Sequence, residues 1–399
     1  MNPKFVPNSF SSSKFWRMFP AGMRRRWWLF RCFDLLVRYL PVLKKNKGLL
    51  VVRMDGIGDM VLFRRTLEDY ERVFNVKKTD ITVLGCKSWG AIGSIIFEGY
   101  GLRIIDEHAF ARRVFYRFWV GLIARQIAPE ITICDSYLRR AMMADSLVWM
   151  VNAPRSISSI PFINESTRAE YTYYLSQVDQ LVDTGPYPTH EIIRHYQFLS
   201  EILGETIQPK LPKINWRDQP LQTVYDIQKS PYAVLNPGSN EYGRRWPFKN
   251  YLKIADYLRN EGLRVVIVGG KNEKVFDSHN DFNKDDIFDL SGKTELSQLL
   301  DIIKHATCVI SNDTGPAHLS IALGTPTVVV VGGGHFGSFV PYPEEVRPSF
   351  VRFAFEDMSC YHCFWRCTER ENNSEAFPCV SNVSVDTIWM TTKELLNAN

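Results

Sequence analysis

The feature that most limits what this chain can fold into is a doubled alternation. Two series of short apolar runs, with helical stretches between the runs, lie either side of a proline-punctuated segment. In the first series, residues 49–53, 80–84, 104–105 and 130–134 read as strands. In the second, the strands fall at 232–235, 264–268, 287–289, 307–310 and 327–331. Strands that alternate with helices predict an open, doubly wound parallel sheet, so the expected fold class is α/β with two Rossmann-like domains facing one another across a cleft. Between the series, 208–219 carries Pro209 and Pro212, with Pro220 just beyond, and reads as a linker. The expected organisation is an extension over 1–47, one domain over 48–207, a linker over 208–225 and a second domain over 226–399. Residues 155–190, rich in Ser, Thr, Pro and Tyr, read as loops with short elements, and the helix over 190–203 ends at Gly204.

A chain of 399 residues can bury two full cores, and its 45% hydrophobic and 23% charged content is that of a soluble globular protein. A net charge of +5 is too weak for a dedicated nucleic-acid binder. It suits a protein that handles phosphates or rests on an anionic membrane. The sequence shows neither a secretory signal nor an apolar run long enough to span a bilayer, so the expected location is the cytoplasm. Within the extension, Arg24, Arg31, Asp34 and Arg38 recur at helical spacing as one polar stripe, and Trp27, Trp28, Phe30, Phe33, Leu36, Val37 and Leu40 cover the rest of the wheel. This pattern fits an interfacial helix that places 14–40 on the inner-membrane surface. It equally fits a helix docked on the protein's own core or on a second subunit of an oligomer.

Three segments carry chemistry. In Ser311-Asn-Asp-Thr-Gly-Pro-Ala-His318, a strand runs into a tight turn and Pro316 stands at the start of a helix closed by Gly324. The exposed N–H groups and dipole of such a helix attract a diphosphate. Thr314 can add a donor, Gly315 allows close approach, His318 lies near enough to donate, and Asp313 can cap the helix or fix the loop. The second segment, Asn236-Pro-Gly238-Ser239 followed by Arg244-Arg245-Trp246-Pro247, supplies a cation for a leaving diphosphate. Both arginines are candidates, and Trp246 reads as loop packing. The third, Asp55-Gly-Ile-Gly58-Asp59, lacks the third glycine of a dinucleotide fingerprint. An acid there suits proton removal from an acceptor hydroxyl, or a helix N-cap.

Together with Leu290-Ser-Gly-Lys-Thr-Glu-Leu296, these blocks resemble the family-9 glycosyltransferases, the bacterial ADP-heptose:lipopolysaccharide heptosyltransferases and their relatives. The resemblance implies a GT-B fold and an inverting transfer, with no cofactor or metal for catalysis. It implies a nucleotide-sugar donor, typically ADP-heptose, and a glycan or glycolipid acceptor such as the lipopolysaccharide inner core. By position, Asp59 matches the catalytic base, and Asp313, Thr314, Gly315 and His318 match the donor-phosphate loop. Arg244 falls where the family usually has lysine, and Glu273 matches a position near the nucleotide ribose. Gly58, Asp135, His190 and Arg194 match the acceptor side. The alternatives are a sugar-nucleotide epimerase and a non-catalytic scaffold on the same fold.

Of eight cysteines, Cys360, Cys363, Cys367 and Cys379 cluster with the spacing C-x2-C-x3-C-x11-C. They read as a structural zinc or iron site, reduced thiols or two disulfides.

Overall fold

A computed structural model of the chain describes residues 27–217, 227, 230–271, 286–372 and 374–398. The described residues form two compact units. One comprises the chain up to Gly56 with Thr66–Pro186 and Ile193–Gln208; the other comprises Ile57–Arg65, Tyr187–Ile192 and Pro209–Asn399. Two short segments, Ile57–Arg65 and Tyr187–Ile192, thus belong to the second unit although the first surrounds them in sequence.

The first unit is built on strands β1 (Leu49–Val52), β2 (Ile81–Cys86), β3 (Gly101–Ile105), β4 (Ile131–Cys134), β5 (Arg155–Ser159) and β6 (Gln180–Val182). All pair in parallel, in the order β3-β2-β1-β4-β5-β6. Strands β5 and β6 lie in the stretch read from the sequence as loops. The signal was weak because β5 is Arg-Ser-Ile-Ser-Ser and hides serines rather than aliphatics. Its Ser156 is held through N–H and Oγ by the Asp179 carboxylate, at 2.8 and 2.7 Å. The Ala144–Val151 helix also escaped the sequence reading: every residue in it is buried, so it has no amphipathic period. Its Asp145 is neutralised by Arg139, whose Nε and Nη2 donate at 2.8–3.0 Å.

The Trp27–Tyr39 helix packs into this unit, and its orientation corrects the sequence reading. Phe30, Asp34 and Val37 are buried. Asp34 accepts two hydrogen bonds from Arg117, at 2.8 and 2.6 Å, and Arg117 lies between the rings of Phe30 and Phe110. Arg38 donates to the Trp149 carbonyl, and the Arg31 guanidinium lies 3.4 Å over Tyr173. Arg31, Asp34 and Arg38, read as part of the polar face, therefore each find a partner within this unit, and Leu35, Leu36 and Tyr39 are left exposed; Arg24 lies outside the described residues. The earlier part of the proposed membrane segment, 14–26, lies outside the described residues. Among the described residues no helix is long and apolar enough to cross a membrane.

The second unit repeats the plan with β7 (Tyr232–Asn236), β8 (Arg264–Ile267), β9 (Ile287–Asp289), β10 (Cys308–Asn312), β11 (Thr327–Val330) and β12 (Val351–Ala354). The order is β12-β11-β10-β7-β8-β9, again all parallel. Separate apolar clusters include Ala233, Leu235 and Ile310 in one and Val234, Val266 and Val309 in the other. Adjacent strand residues thus feed opposite faces, as a sheet buried on both sides requires. In each sheet the direction of winding reverses between two central strands, β1 and β4 or β7 and β10. Ligands of open α/β sheets bind beyond the carboxyl ends of such strands.

Candidate active site

In the second unit the switch point lies between Asn236, which ends β7, and Asn312, which ends β10. Both asparagines are buried and tie the two loops together. Asn236 Nδ2 donates to the hydroxyls of Ser311 and Thr314, each at 2.9 Å. Asn312 Nδ2 donates to the carbonyls of Pro237 and Gly238 at 2.9 and 3.3 Å, and its Oδ1 accepts from Trp246 N–H and the Tyr251 hydroxyl. Thus Asn236 and Gly238 act first as framework for the Thr314–Pro316 turn.

That turn opens the Gly315–Leu323 helix. Thr314 is its N-cap in extended conformation, and its side chain makes no capping hydrogen bond. Pro316 stands in the first helical turn, where its missing N–H costs nothing. The helix start is therefore a positive dipole end that the Thr314 side chain does not cap.

Arg244 and Arg245 divide their tasks. Arg245 donates from Nε and Nη2 to the Ser239 carbonyl at 2.9 and 2.7 Å and staples its own loop. Arg244 turns to the β10 loop: its Nη2 donates to the Asp313 carbonyl at 2.5 Å and to Asp313 Oδ2 at 3.1 Å. Its Nε is buried and makes no hydrogen bond. Trp246 is buried, donates from Nε1 to the Val383 carbonyl at 2.8 Å and packs edge-on against Tyr251.

Asp313 lies between Arg244 and His318. Burial pushes its carboxyl upward, but the neighbouring His318 and the charge of Arg244 outweigh this and hold it below the usual carboxylate range. His318, expected to donate to phosphates, is buried instead. Its Nδ1 meets the Tyr342 hydroxyl at 2.8 Å, and its Nε2 faces Asp313 Oδ1 at 3.7 Å. It fixes the acid that fixes Arg244. His335, which sequence reading missed, flanks the same group. Burial and then Arg244 push its pKa down to about 4, so it is neutral at pH 7.

The Ile57–Arg64 helix, with Asp59 in its first turn, packs on the Gly315–Leu323 helix. The close approach needs glycine at 58, because a Cβ there would stand 2.9 Å from Cδ2 of His318. Asp59, half-buried, is thus carried on the element that lies against the Gly315–Leu323 helix. His190, expected on the acceptor side, donates from Nε2 to the Phe339 carbonyl at 2.7 Å while Nδ1 accepts from Ile192 N–H, and its ring packs edge-on to Tyr342. It anchors the segment that supplies Tyr342 to His318.

The other two residues matched to the acceptor side lie in the first unit and are buried among protein partners. Asp135 binds Arg53 at 2.7 Å and His195 at 2.9 Å. Burial raises its carboxyl pKa, but His195 and Arg53 overcome that and hold it well below the carboxylate range. Arg194 donates to the carbonyls of Thr184, Gly185 and Pro186 and lies 3.5 Å over Tyr137. Glu273 lies outside the described residues. Cys360, Cys363, Cys367 and Cys379 are free thiols, so the disulfide alternative does not hold. Among the described residues no three His, Cys, Asp or Glu side chains are grouped as a ready metal site, although Cys379 lies within electrostatic reach of Cys363, Cys360 and Cys367.

The family model "Glycosyltransferase family 9 (heptosyltransferase)" matches residues 163–366, a little over half the chain. Lipooligosaccharide heptosyltransferase 2 of Haemophilus influenzae is 32% identical over 113 residues, which cover 27% of this chain and 32% of that protein. The alignment thus spans about a third of this curated relative. In structure, the family-9 glycosyltransferase of Veillonella parvula superposes with a TM-score of 0.68 at 16% identity, covering 90% of this chain and all of that one. The Escherichia coli heptosyltransferase WaaC, solved with ADP-2-deoxy-2-fluoro heptose, gives 0.60 at 15% identity over 87% and 99%. These likenesses establish the GT-B fold.

Proposed function

The chain belongs to glycosyltransferase family 9, and from that membership we propose that it moves heptose from ADP-heptose to a saccharide of the lipopolysaccharide core or a related glycan. The transfer is inverting and metal-independent. The donor assignment is supported by the heptose nucleotide in the E. coli relative and by the heptosyltransferase relatives. One observation carries the mechanism: the helix bearing Asp59 packs directly on the helix whose uncapped start, with Arg244, forms an anion site.

In this reading the donor diphosphate rests on the N-terminal turn of Gly315–Leu323. The acceptor hydroxyl oxygen attacks the anomeric carbon and its proton passes to the Asp59 carboxylate. The bond from that carbon to the diphosphate oxygen breaks, and its electron pair leaves on ADP. Charge growing on the diphosphate is met by the helix dipole and Arg244, a fixed donor in a partly dry site. Asp313 and His318 hold that donor in place. Glu273 serves the ribose, and Gly58 gives Asp59 its position. The enzyme works at the cytoplasmic face of the inner membrane, where the exposed Leu36 and Tyr39 and the lysines at 44, 45 and 47 suit an anionic lipid surface.

The test is thermal shift and transfer with ADP-, UDP- and GDP-sugars, together with Asp59→Asn. ADP-heptose should stabilise the protein and give a glycosylated acceptor, and Asp59→Asn should lower kcat by about 10²-fold or more. Stabilisation by UDP but not ADP overturns the donor; undiminished transfer by Asp59→Asn overturns the base.

A further inference from the structure

Behind Arg244 lies a stack of rings for which the proposed reaction has no use. The guanidinium carbon stands 4.4 Å from the centroid of Trp365. Trp365 in turn stacks on Phe377, at 5.7 Å and 20°. The Phe377 N–H donates to the carbonyl of Gly243, the residue before Arg244, at 2.7 Å. The contacts therefore close a circuit: Arg244 rests on Trp365, Trp365 on Phe377, and Phe377 is pinned to the backbone that carries Arg244.

The chain goes to some length to put Trp365 there. His362, Phe364 and Trp365 have φ of 67°, 54° and 60°. This left-handed region is unfavourable for any residue but glycine, and three such residues in four persist only where the surroundings enforce them. The loop is held by N–H donors of His362 and Phe364 to the carbonyls of Gly333 and Gly334, at 2.8 and 2.9 Å. A Cβ on Gly334 would stand 2.2 Å from the Trp365 ring, so the indole occupies the space a side chain would fill. Asp313 holds Arg244 by Nη2 alone. A single anchored nitrogen leaves the planar group free to turn, whereas a ring against its face fixes the plane.

We propose that Trp365 is a positioning residue for the transfer: its indole face sets the plane of the Arg244 guanidinium, so that the edge not held by Asp313 is presented to the diphosphate. This rests on the reading of Arg244 as the diphosphate cation.

The test compares Trp365→Phe with Trp365→Leu in the full chain, using ADP and adenosine as probes. Trp365→Leu should weaken ADP binding about tenfold and leave adenosine unchanged, because only the diphosphate meets Arg244. Trp365→Phe, which keeps a weaker ring face, should fall between. Equal losses for ADP and adenosine, or no loss, overturn the proposal. A second measurement does not depend on the donor. The ring shields the Arg244 side chain, so its NMR resonances, identified by their absence in Arg244→Lys, should lie upfield in the wild type and return to ordinary positions in Trp365→Leu. If the wild type binds no ADP, the donor reading fails and this shift alone decides: its loss in Trp365→Leu supports the positioning role, and unchanged resonances overturn it.

Discussion

Replacing Gly58 by alanine sets two effects of opposite sign against each other. Inside a helix the added methyl favours the folded state by about 0.5–1 kcal/mol, since alanine gives up less backbone freedom than glycine. Against that, the new Cβ would lie 2.9 Å from Cδ2 and 3.4 Å from Nε2 of His318. Carbon atoms in contact sit roughly 3.5–4.0 Å apart, so something must yield by about 0.5–1 Å. His318 is ill placed to yield: it is buried, and the Tyr342 hydroxyl holds its Nδ1 at 2.8 Å. The Ile57–Arg64 helix moves instead. Overpacking of this kind costs about 1–3 kcal/mol, and the helix gain returns part of it, so the net loss is about 0.5–2 kcal/mol. Activity suffers more than stability, because Asp59 rides on the displaced helix. A misplacement near 1 Å costs on the order of 10²-fold in rate, and kcat/KM should fall by about 10- to 100-fold. The assay is mass-spectrometric detection of glycosylated acceptor, with thermal unfolding run in parallel. A folded Gly58→Ala enzyme working at the wild-type rate would refute both the packing argument and the role of Asp59.

Asp34→Asn leaves the buried Arg117 without its carboxylate and should destabilise the first unit by about 3 kcal/mol or more in urea unfolding; a loss below about 1 kcal/mol means that the Trp27–Tyr39 helix is not docked through this pair. Asp135 has a folded pKa below its unfolded one, so its stabilising contribution is complete above about pH 5 and is lost as the pH falls through and below the unfolded value near 3.9. The stability gap between wild type and Asp135→Asn should therefore shrink as the pH falls from 5 toward 3, and a gap that widens there contradicts the sign. Arg244→Lys keeps the charge but loses the flat contact and should bind ADP less tightly than wild type, with Arg244→Met weaker still, as titration calorimetry can rank. Leu36→Glu with Tyr39→Glu should reduce co-sedimentation with anionic vesicles without altering ADP binding; unchanged sedimentation removes that face from the membrane reading.

The sheets were legible in the sequence where their strands are aliphatic runs, as at 49–53, 232–235 and 327–331. Where polar residues are buried in strands the signal failed: β5 conceals serines bound to Asp179 and Arg139, and period-two alternation cannot report that. The chemistry-bearing turns were legible because glycine, proline and the flanking asparagines mark them locally. What each side chain does there was not, since it depends on partners far away in sequence. Arg244 and Arg245 are neighbours with identical chemistry, and only the fold shows one bound to its own loop at Ser239 and the other to Asp313, 69 residues on. The inward turn of Asp34 was hidden for the same reason: Arg117 lies 83 residues away.

The proposed anion site is then backed by a ladder of constraints. His190 steadies the segment that carries Tyr342; Tyr342 orients His318; His318 and Arg244 share Asp313; Trp365 flattens Arg244. Among the described residues Asn236, Arg245, Asp313, His318 and His190, all nominated for contact with substrate, are each engaged in holding another group. This matters for catalysis because a donor that must meet charge as it develops contributes most when it need not reorganise. A lysine, with a compact ammonium and a flexible stem, could carry the charge but has no face to press on an indole and no second edge left over once Asp313 is bound. The arginine at 244, a departure from the usual lysine, and the left-handed loop that delivers Trp365 are then two halves of one arrangement, and altering either alone should cost the precision that both provide.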